Sequence, residues 1–237
     1  MKTIAKLLLV SITYLSFNTS NASVICNEIN GTKTITESFT HIEIDGAFTV
    51  IINQGNKENV LIDSENSIMP YIKSSVKNNT LKIKLKTGIG SKKIEEIKLY
   101  ITIKDLKSLK LSGFINLETS KQINLEELIL KCSGAVKGAL NSNTKLLTCK
   151  TSSFSEIELL GSTDNLKISK TDASSVNAFK LKAKTATIKS TGFGQVNVSV
   201  KNSLSVKSNG ATEIKYSGNP EITEIDIEGF STLSKKK

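Results

Sequence analysis

The side chains able to do chemistry are few and scattered. Glu156 and Glu158 project to one side of a stretch with period two, and a glycosidase draws on two carboxylates that face each other across a substrate. A solvated outer face accounts for this pair more simply. The other acids, among them Glu95-Glu96, Glu126-Glu127, Asp63, Asp164 and Asp226, stand apart. Ser-His-acid catalysis would have to use His41, the single histidine, in a stretch whose neighbours read as structural. Cys26, Cys132 and Cys149 lack metal-ligand spacing, so the usual zinc chemistry has no ligand set. No catalytic residue, cofactor or metal ligand is assigned, and the chain reads as a non-enzyme.

Lysine is the organised chemistry. The net charge is +10, and no arginine stands among the 32 basic residues. Lys110, Lys131, Lys150, Lys189 and Lys207 recur at one position of an internal repeat, with Ser169 and Asp226 completing the series. Stacked, they would form a basic stripe for an anionic polymer such as lipopolysaccharide, teichoic acid or acidic glycan. The plainer reading is a solvated face that blocks side-on association, and the abundance of lysine favours it. Without the planar guanidinium fork, bidentate base or phosphate recognition is missing. Together with the leader described below, this argues against a nucleic-acid partner.

These residues must be positioned by the repeat. It is anchored on Gly113, Gly134, Ser153, Asp172, Gly192, Gly210 and Gly229, at spacings of 21, 19, 19, 20, 18 and 19 residues. Four residues before the anchor stand Leu109, Leu130, Cys149, Ile168, Ile188, Val206 and Ile225. Four after it stand Leu117, Gly138, Ile157, Val176, Val196, Ile214 and Leu233. Just before it runs a Ser/Thr/Asn ladder, Ser112, Ser133, Ser152, Thr171, Thr191 and Asn209, closed by Glu228. Gly46 carries the same pattern between Ile42 and Val50. Alternation within each copy means strands. A period near nineteen is too short for paired helices and matches one coil of a β-solenoid. At ~4.8 Å per coil, seven coils extend roughly 34 Å. The fold expected is therefore all-β, a single-stranded parallel β-helix of about nineteen residues per coil.

Just after the anchor, large and small residues alternate: Phe114, Ala135, Phe154, Ala173, Phe193, Ala211, Phe230. The column is expected to point inward, the alanines letting the rings interdigitate. On that expectation Phe154→Ala costs about 3–5 kcal/mol. Cys132 and Cys149, about 8 Å apart by strand spacing, are expected to be buried free thiols beyond disulfide reach.

The chain begins like a secretory leader. Lys2 and Lys6 precede the apolar stretch 7–17, and Ser20-Asn21-Ala22 offers a small-x-small cleavage site. Removing residues 1–22 lowers the net charge by two, to +8. The apolar stretch is too short to span a membrane and no longer one follows. Expected boundaries are a signal peptide at 1–22, an N-terminal arm or cap at 23–38, the β-helix at 39–234 with its clearest coils at 105–234, and a basic tail at 235–237. Residues 67–76 read as one or two helical turns, limited by Pro70. An odd cysteine count leaves at least one thiol free or paired between chains.

Three passages carry a resemblance. They are Phe39-Thr40-His41-Ile42-Glu43-Ile44-Asp45-Gly46-Ala47-Phe48 with its continuation to Gly55, Asn79-Thr80-Leu81-Lys82-Ile83, and Leu99–Gly113 ending in Leu111-Ser112-Gly113. In these the chain resembles the putative auto-transporter adhesin head GIN domain family, over roughly residues 39–230. Where that family usually has proline, this chain has Lys104-Asp105. The resemblance implies a right-handed parallel β-helix exported to the periplasm or cell surface, and it carries no catalytic residues. The function expected is an adhesin-like, envelope-associated binding module for anionic cell-surface polysaccharide or lipopolysaccharide. The alternatives are a self-assembling envelope protein, with the chain as its own partner, and a polysaccharide-active enzyme.

Overall fold

Period-two alternation becomes strand nearly everywhere. The computed structural model describes residues 32–86 and 96–236. The expected leader, Cys26, Glu95 and Lys237 lie outside them. The strands are β1 (Thr32–Ile35), β2 (His41–Gln54), β3 (Asn59–Asp63), β4 (Ile72–Lys77), β5 (Thr80–Leu85), β6 (Lys98–Ile103), β7 (Ser108–Thr119), β8 (Ile123–Thr151), β9 (Glu156–Lys170), β10 (Ser175–Ser217), β11 (Glu221–Gly229) and β12 (Thr232–Lys235). The fold is all-β. The expected helical turns shrink to a 3-10 turn at Met69–Tyr71, with Pro70 in its first positions, and the chain is extended again from Ile72.

Strand pairing divides the molecule in two. From β2 onward, β7, β8, β9, β10 and β11 follow one another in parallel. Ser108 lies opposite Ile129, Lys137 opposite Glu156, and Gly210 opposite Gly229. Each repeat thus returns beside the one before it. At the N-terminal end, β5 and β6 cover the two halves of β2 in parallel. Antiparallel pairs β4–β5, β3–β6 and β1–β3 close that end.

The apolar columns line the interior. Leu109, Leu130, Cys149, Ile168, Ile188 and Val206 are buried, as are Leu117, Ile157, Val176, Val196 and Ile214. Each fully buried Leu or Ile contributes about 1.5–3 kcal/mol. Ile225 of the first column is 57 % exposed, because among the described residues no strand lies beyond β11.

The anchor residues are all corners with positive φ, including the two that are not glycine, Ser153 (60°) and Asp172 (56°). Asp172 suits the left-handed region, since a short polar side chain can bond locally there. Its Oδ2 accepts the Ser153 N–H at 2.9 Å and the Thr171 hydroxyl at 3.3 Å. Gly134 has a further constraint, because a Cβ on it would lie 2.7 Å from the Gly113 carbonyl oxygen.

The phenylalanine column is not interior. Phe114, Phe154, Phe193 and Phe230 are 74 %, 73 %, 67 % and 90 % exposed. The reason is parity. Leu109, Leu111, Ile115 and Leu117 point inward on both sides of the Gly113 corner, so alternation runs through the corner without resetting. The residue after the anchor is then on the outward phase. The cost expected for Phe154→Ala falls with it.

Candidate binding surface

The five stripe lysines are exposed and stand on successive parallel segments. Lys110 is in register with Lys131, Lys150 with Ser169, and Ser169 with Lys189. The series is bounded by acids, Glu43 opposite Lys110 at one end and Asp226 opposite Lys207 at the other. Lys207 is tied down: its Nζ lies 2.6 Å from Glu224 Oε1, and that carboxylate raises its pKa above the usual lysine value. Lys110, Lys131, Lys150 and Lys189 make no ion pair among the described residues. The free basic character therefore concentrates at Lys110, Lys131 and Lys150. Near the acidic end a shallow groove of about 290 Å³ runs between Lys189, Lys207, Asp226 and Glu228.

Glu156 and Glu158 project together as expected, and each meets a lysine. Glu156 lies 3.8 Å from Lys137 Nζ and Glu158 lies 3.0 Å from Lys180 Nζ. They sit in a groove of about 570 Å³ whose lining includes Gly138, a position where a Cβ would run into the Leu117 backbone. Asn116, Asn177, Gln195 and Asn197 supply amides to the same groove. His41 opens β2, opposite Thr80 on one side and Ser108 on the other. Among the described residues, no three His, Cys, Asp or Glu side chains converge on a metal site. No helix among them is long and apolar enough to cross a membrane.

Cys132 and Cys149 are buried and unbonded to each other. Burial pushes the Cys149 thiol up to about 12. Cys132 is pushed higher still by burial, with the nearby Cys149 adding to it. Neither is a nucleophile at neutral pH.

Two features escaped the sequence reading. One is the exposed aromatic edge. The other is Lys170, whose side chain is enclosed with only 1 % exposure. Its Nζ donates to the carbonyl of Phe193 at 2.5 Å and that of Asp172 at 3.4 Å, and to Thr212 Oγ1 at 3.4 Å. Burial lowers its pKa, and Asp172 partly opposes the shift. Around it runs an interior hydroxyl series, with Thr151 bonded to Ser174 at 3.0 Å and Ser190 to Thr212 at 2.8 Å. The ammonium thus replaces lost hydration with acceptors.

The comparisons fit this architecture. Over residues 38–220 the sequence matches the family described as "Putative auto-transporter adhesin, head GIN domain". A putative adhesin from Bacteroides fragilis NCTC 9343 superposes with a TM-score of 0.77 at 20 % identity, covering 86 % of this chain and 96 % of that one. A putative adhesin from Parabacteroides merdae ATCC 43184 gives 0.67 at 21 % identity, covering 87 % and 95 %. A putative lipid binding protein from Parabacteroides distasonis ATCC 8503 gives 0.65 at 22 % identity, covering 87 % and 96 %. At such identities the likeness speaks for the fold alone. No curated protein matches the chain.

Proposed function

The chain belongs to the putative auto-transporter adhesin, head GIN domain family, and from that premise we propose an exported, non-enzymatic binding module that holds anionic glycan on its lysine face. The scaffold in this reading is a right-handed parallel β-helix spanning residues 39–234, placed in the periplasm or on the cell surface after loss of residues 1–22. The observation that carries the reading is the run Lys110, Lys131 and Lys150, exposed, adjacent and free of ion pairs among the described residues. A row of hydrated ammonium groups at strand spacing suits a polymer of repeated negative charge, such as acidic polysaccharide or lipopolysaccharide. Its attraction is screened by salt.

Binding to an array of lipopolysaccharides and acidic polysaccharides at two salt concentrations tests this. Lys131→Glu combined with Lys150→Glu should weaken binding at low salt by about tenfold or more, since each lysine near an anionic surface is worth about 1 kcal/mol. Binding that ignores both salt and the double substitution would sink the lysine reading. A second reading rests on the amides of Asn116, Asn177, Gln195 and Asn197 around the Gly138 groove. Amides bond sugar hydroxyls without needing charge, so salt-independent capture of neutral glycan would move the site there.

A further inference from the structure

The exposed aromatic edge plays no part in the lysine reading. Ala47 is in register with Phe114, and Phe114 with Ala135. The Phe154 N–H donates to the Gly134 carbonyl at 3.0 Å, the Phe193 N–H to Asp172 at 2.8 Å, and the Phe230 N–H to Gly210 at 2.6 Å. Each of these rings is thereby seated beside the alanine of the preceding repeat. The edge reads Ala47, Phe114, Ala135, Phe154, Ala173, Phe193, Ala211, Phe230, and none of the eight is buried. Interior packing cannot explain the alternation, because the column faces out.

We propose that this edge is the seam of a two-fold homodimer, in which the phenyl rings of one copy fill the alanine gaps of a second copy running antiparallel. A column that starts with alanine, alternates and ends with phenylalanine is complementary to its own reverse. Ala47 meets the second copy's Phe230, Phe114 its Ala211, Ala135 its Phe193, and Phe154 its Ala173. Parallel pairing in register would set ring against ring. A two-fold contact must be self-complementary in this way.

A separate observation agrees. At the Ala47 end lies a depression of about 570 Å³ whose apolar wall is Ala47, Phe48, Ile97, Phe114, Ile115 and Ala135, with Thr49, Glu96, Asn116 and Lys137 on its polar side. The antiparallel register delivers to it the ring of Phe230, the most exposed of the four. The area suffices as well. At about 200 Å² for a whole phenylalanine, four rings at these exposures offer roughly 600 Å² per copy. The alanines and the hydroxyls of Ser133, Ser152, Thr171 and Thr191 beside them bring this towards the ~800 Å² per partner of a standard stable interface. A glycan or a lipid surface would use the rings but would leave the alanine half of the register and the Ala47 hollow without a role.

The geometry fixes the salt response. A two-fold axis across the seam brings the lysine faces to the same side, Lys110 across from the second copy's Lys207 and Lys131 across from its Lys189. Lys207 is already paired with Glu224 and lies beside Asp226, so the seam rests on apolar contact and holds as salt rises, whereas glycan capture by the lysines weakens. The two readings can therefore fail independently.

Sedimentation over a wide concentration range, without glycan, should show a reversible dimer. Phe154→Ala with Phe193→Ala should weaken it by about 100-fold or more, at tenfold or more per central ring. At concentrations where both proteins are monomers, this variant should unfold within about 1 kcal/mol of the parent, as surface changes do. In a Cys26→Ser background, Phe114→Cys with Ala211→Cys should give a covalent dimer with a short thiol cross-linker. The two sites are roughly 24 Å apart within one chain, too far to bridge. Ala135→Cys with Ala211→Cys, one position out of register and with every ring kept, should cross-link less. A monomer at every concentration, stronger linking in the shifted pair, or self-association indifferent to the two alanines would each overturn the proposal. Ring-dependent binding of a persistent monomer to neutral glycan or to phosphatidylglycerol vesicles would overturn it too, and would assign the edge to that ligand.

Discussion

At the scale of single residues, the informative side chains contradict their usual surroundings. Lys170 is a cation in the interior, enclosed by the carbonyls of Asp172 and Phe193 and the hydroxyl of Thr212. Burial lowers its folded pKa below the usual 10.5. Between that lowered value and 10.5 the unfolded chain binds the proton more tightly, so raising pH through this window favours the folded state. Below the folded pKa the penalty is complete; above about 10.5 it is gone. Urea unfolding of the parent and of Lys170→Met, followed from neutral to alkaline pH, should show the parent gaining stability relative to the variant. Parallel curves would mean that the acceptors fully compensate the charge. The fully exposed Lys98, Lys145 and Lys207 are shifted the other way by their carboxylate partners and are common to both proteins, so they cancel in the difference.

At the scale of one strand and its corner, the repeat was legible because its anchors obey backbone geometry. Glycines recur at the repeat's positive-φ corners, and Ser153 and Asp172 take the same conformation at the two corners where glycine is missing. Gly134→Ala should cost about 3 kcal/mol, combining left-handed strain with the approach of its Cβ to the Gly113 backbone. Thermal unfolding measures this; a loss below 1 kcal/mol would mean that the corner can shift. The side of the sheet was legible too, but only to a count of parity that continues through the corner. Thr151, Lys170 and Ser190 are aligned in register and share the inward phase. Residue type argued the other way for both misplaced groups, with phenylalanine expected inside and lysine outside. The antiparallel closure by β3, β4 and β6 was illegible for a different reason. Their alternating pattern is the same whichever direction a neighbour runs, so only the paired partner reveals it. The lysine stripe could be read as a column, but not the acid partner that ties up Lys207, because Glu224 comes from the neighbouring segment.

At the scale of the whole molecule, the two ends differ. The N-terminal end is closed by antiparallel strands, while β11 and β12 leave an open edge against β10. That edge carries Glu221, Glu224, Asp226 and Glu228, charges that discourage another strand from adding. Amide hydrogen exchange should be fastest in β11 and β12 and slowest in β8 and β9, which have neighbours on both sides. Uniform protection would instead mean one cooperative unit. The pairing of β2 with β7 has a consequence in time. From β7 onward each strand finds its neighbour one repeat away, a short loop to close. β2 must wait while residues 55–107 pass before Gly46 can meet Gly113. Closing that longer loop costs more entropy, part of which the earlier pairing of β2 with β5 and β6 offsets. As the chain is synthesised, β2 is therefore met first by β5 and β6, and the arrival of β7 sets the moment at which the repeat-by-repeat stack can begin to run.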